Sequence, residues 1–437
     1  MMKRIAVCIL GSFLMCFLMG CKASKQHKLV FDTVQNEIYI DSMFQNALHK
    51  GFFPGAQIMV GTNDSIFLSK KYGFHDYSKQ QPVKSDDVYD LASISKVLGA
   101  TLVTMRLAGE NKIYLDDKLG EVVSFYKKTS LKDLTLFELL THTSGLKPFI
   151  TFYQYLLSTP DGLALLSAEQ SDDYPNRFGD MYVHKDIIYD ALFLSFEPRE
   201  NFVQIYKNMW LDPEFYYKIY DDITLAQTRT RGRYVYSDLN LILAQQMLET
   251  KTGRKLDVLT REIYNAMDIS QIGYNPLKWT SAEKVVPTEV DNFFRKDTLK
   301  GYVHDEAGAI LGGVSGNAGL FANAGSIAVI CQMLLNHGVH QDQQILKPEV
   351  IREFTESPLA EQGIYRGIGF DKRKRSTFYS ENDFGHTGYT GTFFFMNPDT
   401  KMFLIILTNR VHPTRTNRLM YQDDFGPKIW QQINRLK

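Results

Sequence analysis

The order of secondary-structure signals predicts a mixed α/β fold: an α+β domain whose sheet joins both ends of the chain. Three observations carry this. A hairpin pattern stands near the N-terminus, helical periodicity fills the middle, and strand patterns return near the C-terminus.

The elements follow in chain order. Residues 32–50 read as a helix with Val34, Ile38, Phe44 and Leu48 on one side and Gly51 as its stop. Residues 56–60 and 66–72 flank Asn63-Asp64, a hairpin signal. Residues 93–109 read as a helix opened by Ser93. Thr135 and Glu138 have capping-box spacing ahead of Leu139 and Leu140. Residues 148–233 are rich in Tyr and Phe and poor in Gly. Ile187, Ile188, Ala191 and Leu192 have helical spacing there, so a mostly helical insertion is expected. A helix over 238–252 ends at Gly253. Strands follow at 392–396 and 402–408 around the turn Asn397-Pro398-Asp399, and an amphipathic helix closes the chain at about 427–436.

With 437 residues the chain can hold one large domain or two modest ones. Its 49 basic residues balance 49 acidic ones, which removes the basic excess that a nucleic-acid partner would need. Of the four cysteines, Cys8, Cys16 and Cys21 lie at the start. Only Cys331 lies in the body, so no disulfide can form within it, and Cys331 reads as a small buried hydrophobe. Lys3 and Arg4 precede an apolar run over 5–19, which has signal-peptide length. It ends Leu18-Met19-Gly20-Cys21, which resembles a bacterial lipobox. Residues 1–20 are therefore expected to be a signal peptide, Cys21 the lipidated residue, 21–30 a tether and 31–437 the folded domain. A lipid chain would hold the protein on a membrane with about 0.8 kcal/mol per buried methylene. An exported, membrane-anchored lipoprotein is the expectation.

The chemistry begins with Ser-x-x-Lys. Residues three apart share a helix face, so a serine hydroxyl and a neutral lysine amine can exchange a proton. A free lysine has a pKa of about 10.4, so burial or nearby cations must lower it. The pattern occurs four times, at Ser93/Lys96, Ser124/Lys127, Ser144/Lys147 and Ser281/Lys284. Only Ser93 opens a long apolar helix. Two further motifs lie downstream: Tyr236-Ser237-Asp238 entering a helix, and His386-Thr387-Gly388 before a strand, followed by Tyr389-Thr390-Gly391. Lys251-Thr252-Gly253 is assigned to a helix end, where glycine is a common cap.

These motifs, in this order, resemble the serine β-lactamase and penicillin-binding protein family, in the branch of class C β-lactamases, D-Ala-D-Ala carboxypeptidases and related esterases. The flanks Leu91-Ala92-Ser93-Ile94-Ser95-Lys96 and Leu139-Leu140-Thr141-His142-Thr143-Ser144-Gly145-Leu146 agree with it. Val303-His304-Asp305-Glu306, Gly312–Phe321 and Asn409-Arg410-Val411-His412-Pro413 resemble a sub-branch. That sub-branch contains carboxypeptidase-like penicillin-binding proteins and serine-type muramyl-peptide amidases. It commonly has Gly-His-Ala-Gly where this chain has Gly316-Asn317-Ala318-Gly319.

The resemblance implies a β-lactamase/transpeptidase-like fold, an antiparallel sheet flanked by helices plus a mostly helical subdomain. It implies an acyl-enzyme on Ser93, with Lys96 and Tyr236 handling the proton. The amides of Ser93 and Tyr389 would form the oxyanion hole, and Gly388 would let the strand approach the substrate. Asp238, Thr387, Arg410 and Asn317 would line the substrate site, Arg410 by pairing with a carboxylate. His386 stands where β-lactamases more often have lysine. As a partly charged group it implies weaker penicillin capture. The expected substrate is an amide of cell-wall-derived peptide, cut by a DD-carboxypeptidase or a muramyl-peptide amidase. The alternatives are an esterase, a weak β-lactamase, or a penicillin-binding sensor without turnover. No cofactor is expected, since His304, Asp305 and Glu306 are adjacent and cannot easily meet at one metal ion. The oligomeric state is left open.

Overall fold

The computed structural model describes residues 33–227, 229–373 and 376–434. The expected signal peptide, Cys21 and the tether lie outside the described residues. The central sheet joins both chain ends, as the strand patterns predict. Its strands are β1 (Gly55–Thr62), β2 (Ile66–Gly73), β3 (Phe384–Gly388), β4 (Thr392–Asn397) and β5 (Met402–Thr408), in the spatial order β3-β4-β5-β1-β2. Every pairing is antiparallel, with Ile58 opposite Ile406 and Val60 opposite Leu404 where the two ends meet.

Strand β5 is buried along its whole length. Successive side chains of a strand point to opposite faces. Leu404 and Ile406 enter a smaller core, while Phe403, Ile405 and Leu407 enter a larger one. The smaller core is closed by helix α1 (Thr33–His49) and by the C-terminal helix Phe425–Ile433. In α1 the buried stripe is Ile40, Phe44 and Ala47, whereas Val34 and Ile38 are 65% and 58% exposed. The expected stripe therefore began one face away from the true one at the helix start. The larger core contains the apolar helix that follows Ser93 and the helix Ala324–Leu335, in which Cys331 is fully buried.

The insertion is corrected. Among the described residues between 148 and 233 the chain forms eight short strands from Leu157–Ser158 to Met209–Leu211, one 3₁₀ turn (Phe152–Leu156) and one α-helix (Phe215–Thr224). Ile188 lies in a two-residue strand, and Leu192 is exposed. The turn formers Pro160-Asp161-Gly162, Gly179-Asp180 and Pro198 recur too often for a helix to propagate.

Candidate active site

Ser93 follows a strained turn. Ala92 has φ +46°, a conformation that L-residues rarely adopt. Asp90 holds this turn from below: Oδ1 accepts the Ala92 N–H at 2.8 Å and Oδ2 accepts the His304 N–H at 2.7 Å. From Ser93 the chain winds upward, and the stretch Lys96–Thr101 is π-helical before Leu102–Gly109 continues as α-helix. A π segment widens the helix at the functional lysine.

Lys96 is 1% exposed, and its three donors have three acceptors. Nζ donates to Ser93 Oγ at 2.9 Å and to the Asn317 carbonyl at 2.9 Å, and pairs with Asp238 Oδ1 at 2.6 Å. The Tyr236 ring centroid lies 5.1 Å away. Burial alone would lower the lysine pKa, but Asp238 and Tyr236 outweigh it and hold the pKa above the ordinary value. Proton exchange with Ser93 would require a neutral lysine. In the free enzyme Lys96 is an ammonium, because a carboxylate rather than a cation stands beside it.

Strand β3 and the turn after it are fastened to the nucleophile turn. Thr390 Oγ1 donates to the Asp90 carbonyl at 2.7 Å, and Thr392 Oγ1 donates to the Leu91 carbonyl at 3.0 Å. A Cβ at Gly388 would meet Thr392 Oγ1 at 2.0 Å and the Leu91 carbonyl at 2.4 Å, so only glycine allows this approach. Among the described residues, neither the Ser93 nor the Tyr389 N–H donates to a backbone carbonyl in the turns and loops. Two free amides beside the serine are what an oxyanion requires.

The cleft over Ser93 has a volume of about 490 Å³. Its far wall holds His386, Thr387, Arg366 and Arg373. His386 is 3% exposed, and burial, then the Arg366 charge, pushes its pKa down to about 3. Its Nδ1–H donates to the Thr387 carbonyl at 2.7 Å, and Nε2 has no protein partner. The sequence expected a partly charged ring, and burial makes it neutral. The positive charge of the cleft comes from two arginines that the motifs did not point to. Arg373 Nη2 donates to Thr387 Oγ1 at 3.2 Å, and its Nε donates to Asp371 at 2.9 Å. Arg366 is 6% exposed and donates through Nη1 to Tyr234 and Asp371, while its Nε and Nη2 are left unpartnered.

Two residues expected to bind substrate are placed otherwise. The Arg410 guanidinium is 1% exposed and lies 4.5 Å from the ring centroids of both Tyr389 and Tyr421. It donates to the carbonyls of Asn417 and Arg415, so it braces the Tyr389 turn instead of facing the cleft. The Asn317 side chain is buried, accepts from Ser315 and donates to Asp305 at 3.1 Å. Only its backbone carbonyl reaches Lys96. His304, Asp305 and Glu306 diverge: His304 pairs with Glu289, Asp305 caps the helix Glu306–Ile310, and Glu306 pairs with Arg415. His142, which the sequence shows only as a flank beside Thr141 and Thr143, belongs to the site. Its ring packs 4.7 Å from Tyr236, with Nδ1 accepting from the Ser237 N–H and from Asn240, each at 3.1 Å. Arg366 and Arg373 carry no local signal. The run Lys372-Arg373-Lys374-Arg375 reads as a solvated charge patch.

The comparisons with known proteins give the family and the fold. The family described as Beta-lactamase matches residues 40–425. A protein named "Putative D-alanyl-D-alanine carboxypeptidase" from Escherichia coli (strain K12) is 25% identical over 393 residues, covering 82% of this chain and 79% of its own. An "N-acetylmuramyl-L-alanine amidase" from Bacillus subtilis (strain 168) is 26% identical over 407 residues, covering 85% of this chain and 80% of its own. Among solved structures, the octameric penicillin-binding protein homologue from Pyrococcus abyssi aligns with a TM-score of 0.60 at 17% identity, over 91% of this chain and 78% of that one.

Proposed function

The chain belongs to the β-lactamase family of serine hydrolases, and we propose that it cuts an amide bond of cell-wall-derived peptide, in the manner of a D-alanyl-D-alanine carboxypeptidase. One observation carries the choice of substrate: Arg373 on Thr387, with the unpartnered nitrogens of Arg366 behind it, in the same cleft as Ser93. A planar guanidinium pairs with a carboxylate through two hydrogen bonds. A peptide ending in a free carboxylate next to its scissile amide would set that amide over Ser93.

Ser93 Oγ then attacks the carbonyl and the amide C–N bond breaks, leaving an ester on the serine. The proton of Oγ passes to Lys96 as the Lys96 ammonium hands one of its own to Asp238 at 2.6 Å, and from this pair, with Tyr236 beside it, a proton returns to the leaving amine. The oxyanion would rest on the N–H groups of Ser93 and Tyr389, and each such donor contributes about 3–4 kcal/mol to the transition state. The muramyl-peptide amidase reading uses the same machinery and is supported by the 26% identity to a protein named for that activity. The Lys3, Arg4 and Cys21 pattern supports export and a lipid anchor, which would hold the enzyme near such substrates.

Incubation with purified muropeptides, followed by mass spectrometry, separates the readings. Loss of a terminal alanine is expected from the wild type, and Ser93→Ala should lose at least a thousandfold in rate. Release of intact peptide from the sugar would select the amidase. A stable penicillin adduct with no product would select a sensor, and product formation undiminished in Ser93→Ala would sink the nucleophile assignment.

A further inference from the structure

A lysine held as an ammonium cannot take a proton. Hydrolysis of an acyl-enzyme nevertheless needs a base for the attacking water and an acid for the departing serine oxygen. The acid is in place, since Lys96 Nζ lies 2.9 Å from Ser93 Oγ. The carboxylates and imidazoles around the cleft and Lys96 can be compared as bases. Asp371 is occupied by Arg366 and Arg373. Asp305 caps the helix Glu306–Ile310, accepting from the Gly308 N–H and from Asn317. His142 Nδ1 already accepts two hydrogen bonds, and burial leaves His386 a weak base. Asp238 differs from all of them. Its Oδ1 is 2.6 Å from Lys96 Nζ, and its side chain is 27% exposed, whereas Lys96 is buried. It stands in the first turn of the helix Asp238–Thr252, which fixes it beside Lys96.

We propose that Asp238 is the general base of acyl-enzyme hydrolysis, taking a proton from the attacking water and returning it through Lys96 to Ser93. This rests on the acyl-enzyme reading of Ser93. The water oxygen bonds to the acyl carbon as its proton passes to the Asp238 carboxylate. The bond between the acyl carbon and Ser93 Oγ breaks, and Oγ takes a proton from the Lys96 ammonium. The protonated Asp238 then returns its proton to the Lys96 amine across the 2.6 Å contact. The carboxylate, the ammonium and the serine hydroxyl are restored, and the acyl group leaves as a free acid. An asparagine at this position could keep the hydrogen bond to Lys96 but could not accept the proton.

The test uses p-nitrophenyl acetate as the probe, with p-nitrophenol release and the intact mass of the protein read together. Asp238→Asn should give a burst of one equivalent, then a steady-state rate at least a hundredfold below wild type, with the acetyl adduct persisting on the protein. Asp238→Glu, which keeps a base within reach, should recover at least a tenth of the wild-type rate. Deacylation of Asp238→Asn within threefold of wild type would overturn the proposal. An adduct that still forms on Ser93→Ala, or no adduct on the wild type, overturns the acyl-enzyme reading itself and is distinguished by that signature.

Discussion

Two imidazoles in the site, His142 and His386, are held neutral by their surroundings. Burial is the largest cause in both, followed by the charge of Arg366, with Lys96 adding to it. Their pKa values in the fold lie below the unfolded value near 6.5, His386 at about 3. The unfolded chain therefore takes up protons first as pH falls. Their contribution to stability is complete above pH 6.5 and is lost as pH drops from there toward 3. For His386 the loss at pH 5 is about 2 kcal/mol. His386→Gln should show a shallower fall of melting temperature between pH 6.5 and 5 than the wild type does. Calorimetry at several pH values checks this, and parallel curves would show that His386 is not the group responsible. Lys96 shows the same principle with the opposite outcome: burial is overcome by Asp238 at 2.6 Å together with Tyr236, and the charge survives.

Local rules held where the physics was local. Thr135 and Glu138 form the capping box, with Glu138 accepting the Thr135 N–H at 2.9 Å, and Gly253 ends its helix in the left-handed region at φ +67°. The hairpin of β1 and β2 turns where Asn63-Asp64 stands. The insertion failed because a few residues at helical spacing outweighed frequent turn formers in the reading but not in the molecule. Strand β3 matters most for function, since it lies against the turn that carries Ser93. Gly388→Ala would force the strand away from the Leu91 carbonyl. A displacement near 1 Å at a reacting centre costs roughly a hundredfold in rate. The expected result is a loss of that order in the rate of Ser93 labelling by a fluorophosphonate, and unchanged labelling would mean that the strand position is not limiting.

Across the whole molecule, the sheet ties residues near the start of the described chain to residues near its end. The smaller core depends on this closure. Trp430 is fully buried between α1 and the sheet, and its Nε1 donates to Asp383 Oδ2 at 2.7 Å. Trp430→Ala removes a large buried side chain and one of the donors to that carboxylate, at a cost of about 3–5 kcal/mol. Urea unfolding should show the drop in midpoint. A change below about 1 kcal/mol would mean that the C-terminal helix is not needed to hold the sheet.

The sequence by itself determined the ordered motifs. Ser93, Lys96, Tyr236 and His386-Thr387-Gly388 were legible because each is a short pattern with a fixed local geometry. The strands at both ends were legible from their apolar runs. Only the tertiary structure decided what those residues do to one another. Protonation depends on charges brought from far along the chain: Asp238 beside Lys96, and Arg366 beside His386. It also turned Arg410 and the Asn317 side chain away from the role their positions suggested, and it brought Arg373 out of a basic run onto Thr387. Each of these depends on long-range packing, and electrostatic energy in a buried site depends on distances that no local pattern contains.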